Sequence, residues 1–300
     1  MKRNIKDYSS LFLKGMGMGA ADVVPGVSGG TIAFIVGIYE ELINSIKSIN
    51  LSSLKLLLGF KIKDFWNAIN GTFLICVLAG ILTSVLSLAK IITWLLETHP
   101  VLVWSFFFGL VLASTWSVSK RIKKMSISRW VTFFIGAALA FFITDATPSA
   151  TPDALWFIFI CGAISICAMI LPGISGSFIL VLLGKYMYIM TSLKELNIPI
   201  ILIFGAGAAI GIISFSNVLS YLLKNYHDLT ISTLAGFMFG SLNKIWPWKE
   251  TVETFVDRHG ITKPLIEKNI LPNQYLWQGI ILMIIGLIMV IALEKISEKK

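Results

Sequence analysis

The 300-residue sequence has few charged residues. Only 14% of the chain is Asp, Glu, Lys or Arg, whereas 56% is hydrophobic and the mean hydropathy is +0.83. A typical soluble domain is about one quarter charged, so this composition excludes an ordinary soluble protein. Several apolar runs approach the roughly 20 residues that a membrane-spanning helix needs. We predict helices for these runs because lipid offers no partner to unpaired backbone groups.

Cysteine and histidine are also scarce, with three of each. The cysteines lie in apolar segments, which predicts free thiols and no disulfide framework. The histidines are scattered, and no group of His and Cys has the spacing of metal ligands, so we expect neither a metal nor a cofactor. The sequence has no glycine-rich phosphate loop ending in Lys-Ser or Lys-Thr, and no nucleophilic triad stands out. We therefore predict that the chain is not an enzyme.

The net charge of +9 would suggest nucleic-acid binding in a soluble protein, but in a membrane protein it fits the positive-inside rule. Basic residues cluster before the first apolar segment, again at 47–63 and again at 120–129. The connections at 97–100 and 145–153 contain no Lys or Arg. We therefore expect a multi-pass membrane protein without a nucleic-acid partner, with its basic connections and both termini in the cytoplasm.

The chain contains one motif twice. Residues 25–29, Pro-Gly-Val-Ser-Gly, return 147 positions later as residues 172–176, Pro-Gly-Ile-Ser-Gly, and nine of the 23 positions from 25 to 47 are identical at this offset. A weaker match with an offset of 127 follows from 79 to 114. Chance likeness between apolar helices explains the weaker match, but hardly two nearly identical pentapeptides. The sequence therefore predicts a duplication.

Each predicted half consists of a Pro/Gly-broken helical hairpin followed by three transmembrane helices. The hairpin contributes an even number of crossings whether it is re-entrant or spans fully, so the three helices after it leave the second half inverted. The predicted fold class is an all-α polytopic membrane protein with two inverted repeats. The first repeat is 1–147, with its hairpin at 8–47 and helices at 72–96, 101–118 and 130–145; the second is 148–300, with its hairpin at 155–192 and helices at 199–223, 229–245 and 276–294. No role is predicted for the charge-balanced connection at 246–275.

Broken helices at matching positions of inverted repeats indicate a binding site near the middle of the membrane. The N-terminus of a half-helix exposes unpaired N–H groups and partial positive charge, which suit an anion. We predict that the two breaks converge from opposite sides and hold one phosphate without a fixed cation. The alternative is that the glycines only allow close helix packing. The candidate substrate-binding residues are Pro25, Gly26, Ser28, Gly29, Gly30, Thr31, Pro172, Gly173, Ser175, Gly176 and Ser177.

Four charged residues near apolar segments are further candidates. Asp22 precedes the first break, and an ionised carboxylate at bilayer depth costs on the order of 3 kcal/mol. It is either a coupling site for a proton or sodium ion or a cap for backbone N–H groups. Glu40, Lys90 and Lys185 are weaker candidates, since Glu40 fits a position at the cytoplasmic interface, and for the two lysines we favour side chains that extend to the interface.

Two stretches resemble the signatures of a known bacterial membrane family. Residues 21–31, Ala-Asp-Val-Val-Pro-Gly-Val-Ser-Gly-Gly-Thr, resemble the first signature, and residues 169–177, Met-Ile-Leu-Pro-Gly-Ile-Ser-Gly-Ser, resemble the second. The family is that of polyprenyl-phosphate transporters of the PopT type, formerly catalogued as a domain of unknown function. The resemblance implies a protein of the bacterial cytoplasmic membrane that returns undecaprenyl phosphate from the outer to the inner leaflet for reuse in cell-wall synthesis.

The residues alone indicate less than the resemblance implies, namely a duplicated, inverted transporter with breaks that suit an anion. Two other functions stay open on these grounds. One is an ion-coupled carrier of a small soluble anion, which needs a closed aqueous pocket. The other is an intramembrane enzyme acting on lipid-linked phosphates, which the missing nucleophile disfavours.

Overall fold

The computed structural model describes residues 3–24, 26–122, 126–149, 151–256 and 262–298. Within these ranges the chain is mostly helical and carries a single pair of β-strands. The helices are α1 (Ile5–Val23), α2 (Gly29–Ile35), α3 (Tyr39–Lys47), α4 (Leu51–Leu58), α5 (Ile62–Ala68), α6 (Gly71–Thr98), α7 (Pro100–Ser119), α8 (Ile127–Asp145), α9 (Leu155–Ile170), α10 (Gly176–Leu182), α11 (Tyr186–Lys194), α12 (Ile198–Asn225), α13 (His227–Ser241) and α14 (Leu276–Glu298).

Five of the described helices are long and apolar enough to cross a membrane, namely α6, α7, α8, α12 and α14. The pair α10 and α11 is apolar enough as well but is bent by 111° at the intervening turn. The helix in the predicted 229–245 span ends earlier, at Ser241. Beyond Ser241 the N–H groups of 242, 243 and 244 each bond to a carbonyl three residues back, which tightens the chain into turns and stops the helix. The helices α4 and α5 were not predicted.

The prediction of an all-α chain is wrong for the connection after α13. Strands β1 (Lys249–Val256) and β2 (Thr262–Asn269) form an antiparallel hairpin that pairs Lys249 with Asn269. The residues Thr251, Val252 and Thr254 are β-branched, which favours a strand. Trp246 and Trp248 donate their indole N–H groups to the carbonyls of Ile270 and Gln274, at 3.0 and 2.7 Å. These bonds join the segments before and after the hairpin and close its base.

The bundle is built from parallel helix pairs with backbones in contact. In the pair α1 and α6, Gly15 faces Val77 and Gly19 faces Ile81, so both helices run in the same direction. A Cβ added to Gly80 on α6 would overlap the carbonyl oxygen of Phe12 on α1. The same contact of a glycine with a backbone carbonyl occurs in three other helix pairs. Gly207 of α12 meets Phe159 of α9, Gly109 of α7 meets Met283 of α14, and Gly236 of α13 meets Phe133 of α8.

These pairs place both helical breaks about halfway through the bundle. We call the end where α4 and α5 lie the α4–α5 end, and the opposite end the β-hairpin end. The short α1 pairs with the first half of the 28-residue α6 and stops near its middle, and α9 stops similarly along α12. The segment α1 to α3 enters and leaves at the α4–α5 end, and the segment α9 to α11 at the β-hairpin end. Each broken hairpin therefore begins and ends at the same end of the bundle.

The close helix contacts predict a stability difference between two glycines. We expect Gly80→Ala to lower the free energy of unfolding by about 1–3 kcal/mol, because the new methyl group overlaps backbone. Gly205→Ala on α12 is the matched control, since an added Cβ there meets nothing within 4 Å. Thermal unfolding of both variants in detergent measures the difference. Equal unfolding temperatures would contradict the backbone contact between α1 and α6.

Candidate functional site

The two breaks contact each other directly in the middle of the bundle. The Ser28 hydroxyl lies 3.2 Å from the carbonyl oxygen of Met169 and 3.1 Å from that of Leu171. In return, the N–H of Gly173 donates to Thr31 Oγ1 at 3.1 Å. Both hydroxyl-bearing residues are fully buried. Side chains of the first break therefore satisfy backbone groups of the second, at a depth where a bilayer offers no water.

Glycine and tyrosine complete this junction. Gly26 and Gly173 have φ angles of +83° and +88°, in the left-handed region where glycine is favoured. A Cβ on Gly30 would lie 2.6 Å from the carbonyl oxygen of Ile170, so only glycine allows the breaks this close. The Tyr39 hydroxyl donates to the same oxygen at 3.3 Å.

The structure thus brings most of the predicted binding residues into one place, while Pro25 lies outside the described residues. From the first break these are Gly26, Ser28, Gly29, Gly30 and Thr31, and from the second Pro172, Gly173, Ser175, Gly176 and Ser177.

Asp22 caps the first outgoing helix. Its Oδ1 accepts from the N–H of Gly29 at 2.6 Å, and Ser28 Oγ accepts from the N–H of Gly30 at 3.1 Å. The first two N–H groups of α2 therefore already donate to side-chain oxygens of the chain itself. A substrate anion reaches these groups only by displacing Asp22. Among the described residues no cation pairs with the Asp22 carboxylate.

The second break is more open than the first. All seven residues of α2 are buried, whereas Ser177 at the start of α10 is exposed. Ser175 makes no side-chain cap and lies 2.8 Å from the Ser177 hydroxyl. The residue after this serine, Phe178, lines a cleft that opens beside the junction at the β-hairpin end.

This cleft has a volume of about 410 Å³ and carries more cations than carboxylates. Lys249 is its most buried cation, with 6% of the side chain exposed. Its ammonium donates to Glu267 Oε2 at 3.3 Å and to the carbonyl of Lys244 at 2.7 Å, and lies 4.2 Å from the centroid of the Trp104 ring. Burial lowers the pKa of Lys249 to about 8, and the carboxylate of Glu267 opposes this shift.

Lys244 is the second cation of the cleft, with 20% of its side chain exposed. Its ammonium lies 4.8 Å from the centroid of the Phe178 ring and 4.0 Å from Glu267. It donates no hydrogen bond to any residue in the described ranges. Burial lowers the pKa of Lys244 as well, again opposed by Glu267. The prediction of a phosphate site without a fixed cation missed this pair, because the connection after α13 looked like a charge-balanced loop.

Comparison with known proteins decides the family. A family model described as undecaprenyl phosphate translocase-like matches residues 18–263, a range that holds both breaks and most of the residues that line the cleft. The chain belongs to this undecaprenyl phosphate translocase-like family. The resemblance drawn from the two signatures is thereby confirmed.

Two curated relatives of this translocase-like chain are named as polyprenyl-phosphate transporters. The protein of Vibrio cholerae is 47% identical over 302 residues, which cover 98% of each chain. The protein of Staphylococcus aureus is 30% identical over 253 residues, covering 78% of this chain and 85% of the relative. No solved structure matches the chain.

The weaker candidates of this family member lie apart from the junction. Glu40 Oε1 is 3.3 Å from His227 Nε2 near the α4–α5 end. Lys90 is exposed on α6. Lys185 is 3% exposed and donates to the carbonyl of Thr151 at 2.7 Å and to Asp153 at 2.5 Å, in the connection before α9.

On the other side of the junction of this translocase-like chain, two cations bind the end of α2. Arg121 donates to the carbonyl of Phe34 at 3.0 Å, and its guanidinium lies 5.7 Å from the centroid of the same residue's ring. Lys14 donates to the carbonyl of Val36 at 2.6 Å. These cations meet the C-terminal carbonyls of α2, where the helix dipole favours positive charge. Two cations therefore anchor the end of the first hairpin's outgoing helix.

The hydrogen bonds between the breaks predict an effect of Ser28→Ala. The variant removes the hydroxyl proton that the carbonyls of Met169 and Leu171 share, and Leu171 keeps only the N–H of Ile174 at 3.5 Å. We therefore expect the free energy of unfolding to fall by about 1–3 kcal/mol. Ser87→Ala is the control, because that exposed hydroxyl bonds only to Thr83 within its own helix. Thermal unfolding in detergent measures both. A control as destabilised as Ser28→Ala would contradict a special role for the junction.

Proposed function

We propose that this chain carries a polyprenyl phosphate across the bacterial cytoplasmic membrane, with its phosphate headgroup passing the junction of the two breaks. The observation that carries the proposal is the junction itself, where two broken hairpins meet halfway through the bundle beside a cleft that contains lysines. The names of the family and of both relatives support the substrate class.

The prenyl chain and the phosphate headgroup of the lipid have opposite requirements during transport. Drawing the prenyl chain out of lipid would cost about 0.8 kcal/mol per CH₂ group, so the chain stays in the bilayer throughout. The charged headgroup has the opposite problem, since one charge at the bilayer centre costs at least about 2.5–3.5 kcal/mol. Only the headgroup therefore needs a polar path, and the cleft and the junction provide polar groups along one.

The two halves are proposed to be inverted repeats. The contact of Gly80 with Phe12 has its counterpart in that of Gly207 with Phe159, at the sequence offsets of 127 and 147 found in the repeat. The contact of Gly109 with α14 similarly corresponds to that of Gly236 with α8. The two hairpins enter from opposite ends, as inversion requires.

The orientation follows from the distribution of charge. The α4–α5 end carries the basic residues of 47–63 together with Lys120, Arg121 and Arg129, which favours the cytoplasm for this end and for both termini. The β-hairpin end and its cleft then face the outside. A cleft open to the outside and a first hairpin anchored at the cytoplasmic end fit uptake from the outer leaflet, so we propose outer-to-inner transport for reuse of the carrier lipid.

Reconstitution tests the transport activity. We expect vesicles containing the purified chain to exchange a labelled polyprenyl phosphate between leaflets, at a rate that rises with protein content. Accessibility of the headgroup to an impermeant phosphatase added outside measures the exchange. Excess farnesyl phosphate should compete, whereas inorganic phosphate should not. Competition by inorganic phosphate alone would instead support a carrier of small soluble anions, and no exchange above protein-free vesicles would refute the proposal.

Asp22 has no cationic partner among the residues that the structure describes, which motivates a proposal of proton or sodium coupling. Asp22→Asn keeps an oxygen that accepts from the N–H of Gly29, so the cap and the fold should persist. We expect this variant to exchange lipid without the acceleration that an imposed proton or sodium gradient gives the unmodified chain. Exchange rates with and without each gradient measure this. A variant that responds to both gradients like the unmodified chain would leave Asp22 as a cap alone.

A further inference from the structure

We propose that Lys244 and Lys249 form the site where a phosphate monoester headgroup first docks, at the β-hairpin end, and that Glu267 holds this site until the headgroup replaces it. This inference rests on the proposed function and specifies where the substrate is received. It commits to a monoester, the chemistry that polyprenyl phosphate shares with free phosphate.

The first argument is the balance of charge. Two mostly buried ammonium groups share one carboxylate, since Glu267 Oε2 lies 3.3 Å from Lys249 Nζ and 4.0 Å from Lys244 Nζ. Lys268 and Asp145 also line the cleft, so its walls carry three cations and two carboxylates. A buried charge without a partner is costly. A phosphate monoester brings a charge of about −1.5 to −2, which suits two ammonium groups.

The second argument is hydrogen-bonding capacity. The ammonium of Lys249 already has partners, because it donates to the carbonyl of Lys244 and to Glu267 and lies over the ring of Trp104. Lys244 has three N–H donors and only the Phe178 ring and the distant Glu267 around them within the described residues. Its ammonium is thus placed to donate to an incoming anion. Asn243 and Asn269 stand beside it in the same wall.

The third argument is position relative to the junction. The stem of Lys244 packs on the first break, since a Cβ on Gly26 would lie 3.0 Å from Lys244 Cγ. Three residues earlier, Ser241 packs on the second break, since a Cβ added to Gly173 would lie 2.9 Å from Ser241 Oγ. The end of α13 therefore touches both breaks and the cleft. A headgroup held by Lys244 lies next to the place where the hairpins meet.

The β-hairpin fixes the competing carboxylate. Glu267 lies on β2 opposite Thr251, and the hairpin is fastened to the end of α13 by Asn269, which donates to the backbone and side-chain oxygens of Asn243 at 2.9 Å. Glu267 is thus an internal anion held against both lysines. Removing its charge should make the site more receptive to phosphate, an effect that a purely structural salt bridge would not produce.

Binding of farnesyl phosphate to the purified full-length chain in detergent tests the inference. We expect Lys244→Gln to weaken binding about tenfold or more, as for the loss of a hydrogen bond to a charged group. Lys244→Arg should keep most of the affinity, and Glu267→Gln should bind more tightly than the unmodified chain. Lys194→Gln, at an exposed lysine on α11, is the matched control and should bind normally. Calorimetric titration measures the Kd of each variant.

Three further measurements separate the outcomes. Inorganic phosphate and farnesol, titrated alongside, show whether the site needs the phosphate alone or the lipid phosphate. Affinities that are unchanged in both Lys244→Gln and Glu267→Gln would overturn the inference, and if Lys244→Gln fails to fold, Glu267→Gln and Lys244→Arg decide alone. Leaflet exchange by the unmodified chain tests the proposed function separately: exchange with unchanged affinities refutes this docking site only, whereas no exchange refutes the function.

Discussion

The fold depends on hydrogen bonds between two interrupted helices that would be incomplete alone. A break in the middle of a membrane leaves backbone groups without helical partners, and lipid supplies none. Here the Ser28 hydroxyl lies within hydrogen-bond distance of the carbonyls of Met169 and Leu171, and Thr31 Oγ1 accepts from the N–H of Gly173. Each hairpin therefore needs the other in order to sit at this depth. Two hairpins that enter from opposite ends meet this need without a third element.

The two breaks differ in chemistry although their motifs match. At the repeat offset, Asp22 corresponds to Met169, Gly30 to Ser177 and Thr31 to Phe178. The first break supplies polar side chains, and its residues from Gly26 to Ile35 are buried. The second break offers backbone groups, exposes Ser177 and contributes Phe178 to the lining of the cleft. The two breaks thus share a backbone geometry, but only the second contributes a side chain to the cleft.

The hairpins could be predicted because their signals are local. Proline and glycine interrupt apolar runs at two matching places, and each interruption produces a break wherever the rest of the chain lies. The cleft could not be predicted in this way. Lys244 and Lys249 come together with Glu267 only because Trp246 and Trp248 fasten the β-hairpin to residues more than 20 positions away. The partners of Lys185 could not be predicted for the same reason, since Thr151 and Asp153 precede it by more than 30 positions.

The glycine contacts between the halves limit how the molecule can move. Gly109 against Met283 and Gly236 against Phe133 bring backbones together with no intervening side chain, so α7, α8, α13 and α14 form a frame that resists sliding. Any shift that opens the α4–α5 end must then arise in the hairpins, where Arg121 has to release the carbonyl of Phe34. The four helices α7, α8, α13 and α14 would stay fixed during transport. Movement would be limited to the short helices after each break, α2 and α3 in the first hairpin and α10 and α11 in the second.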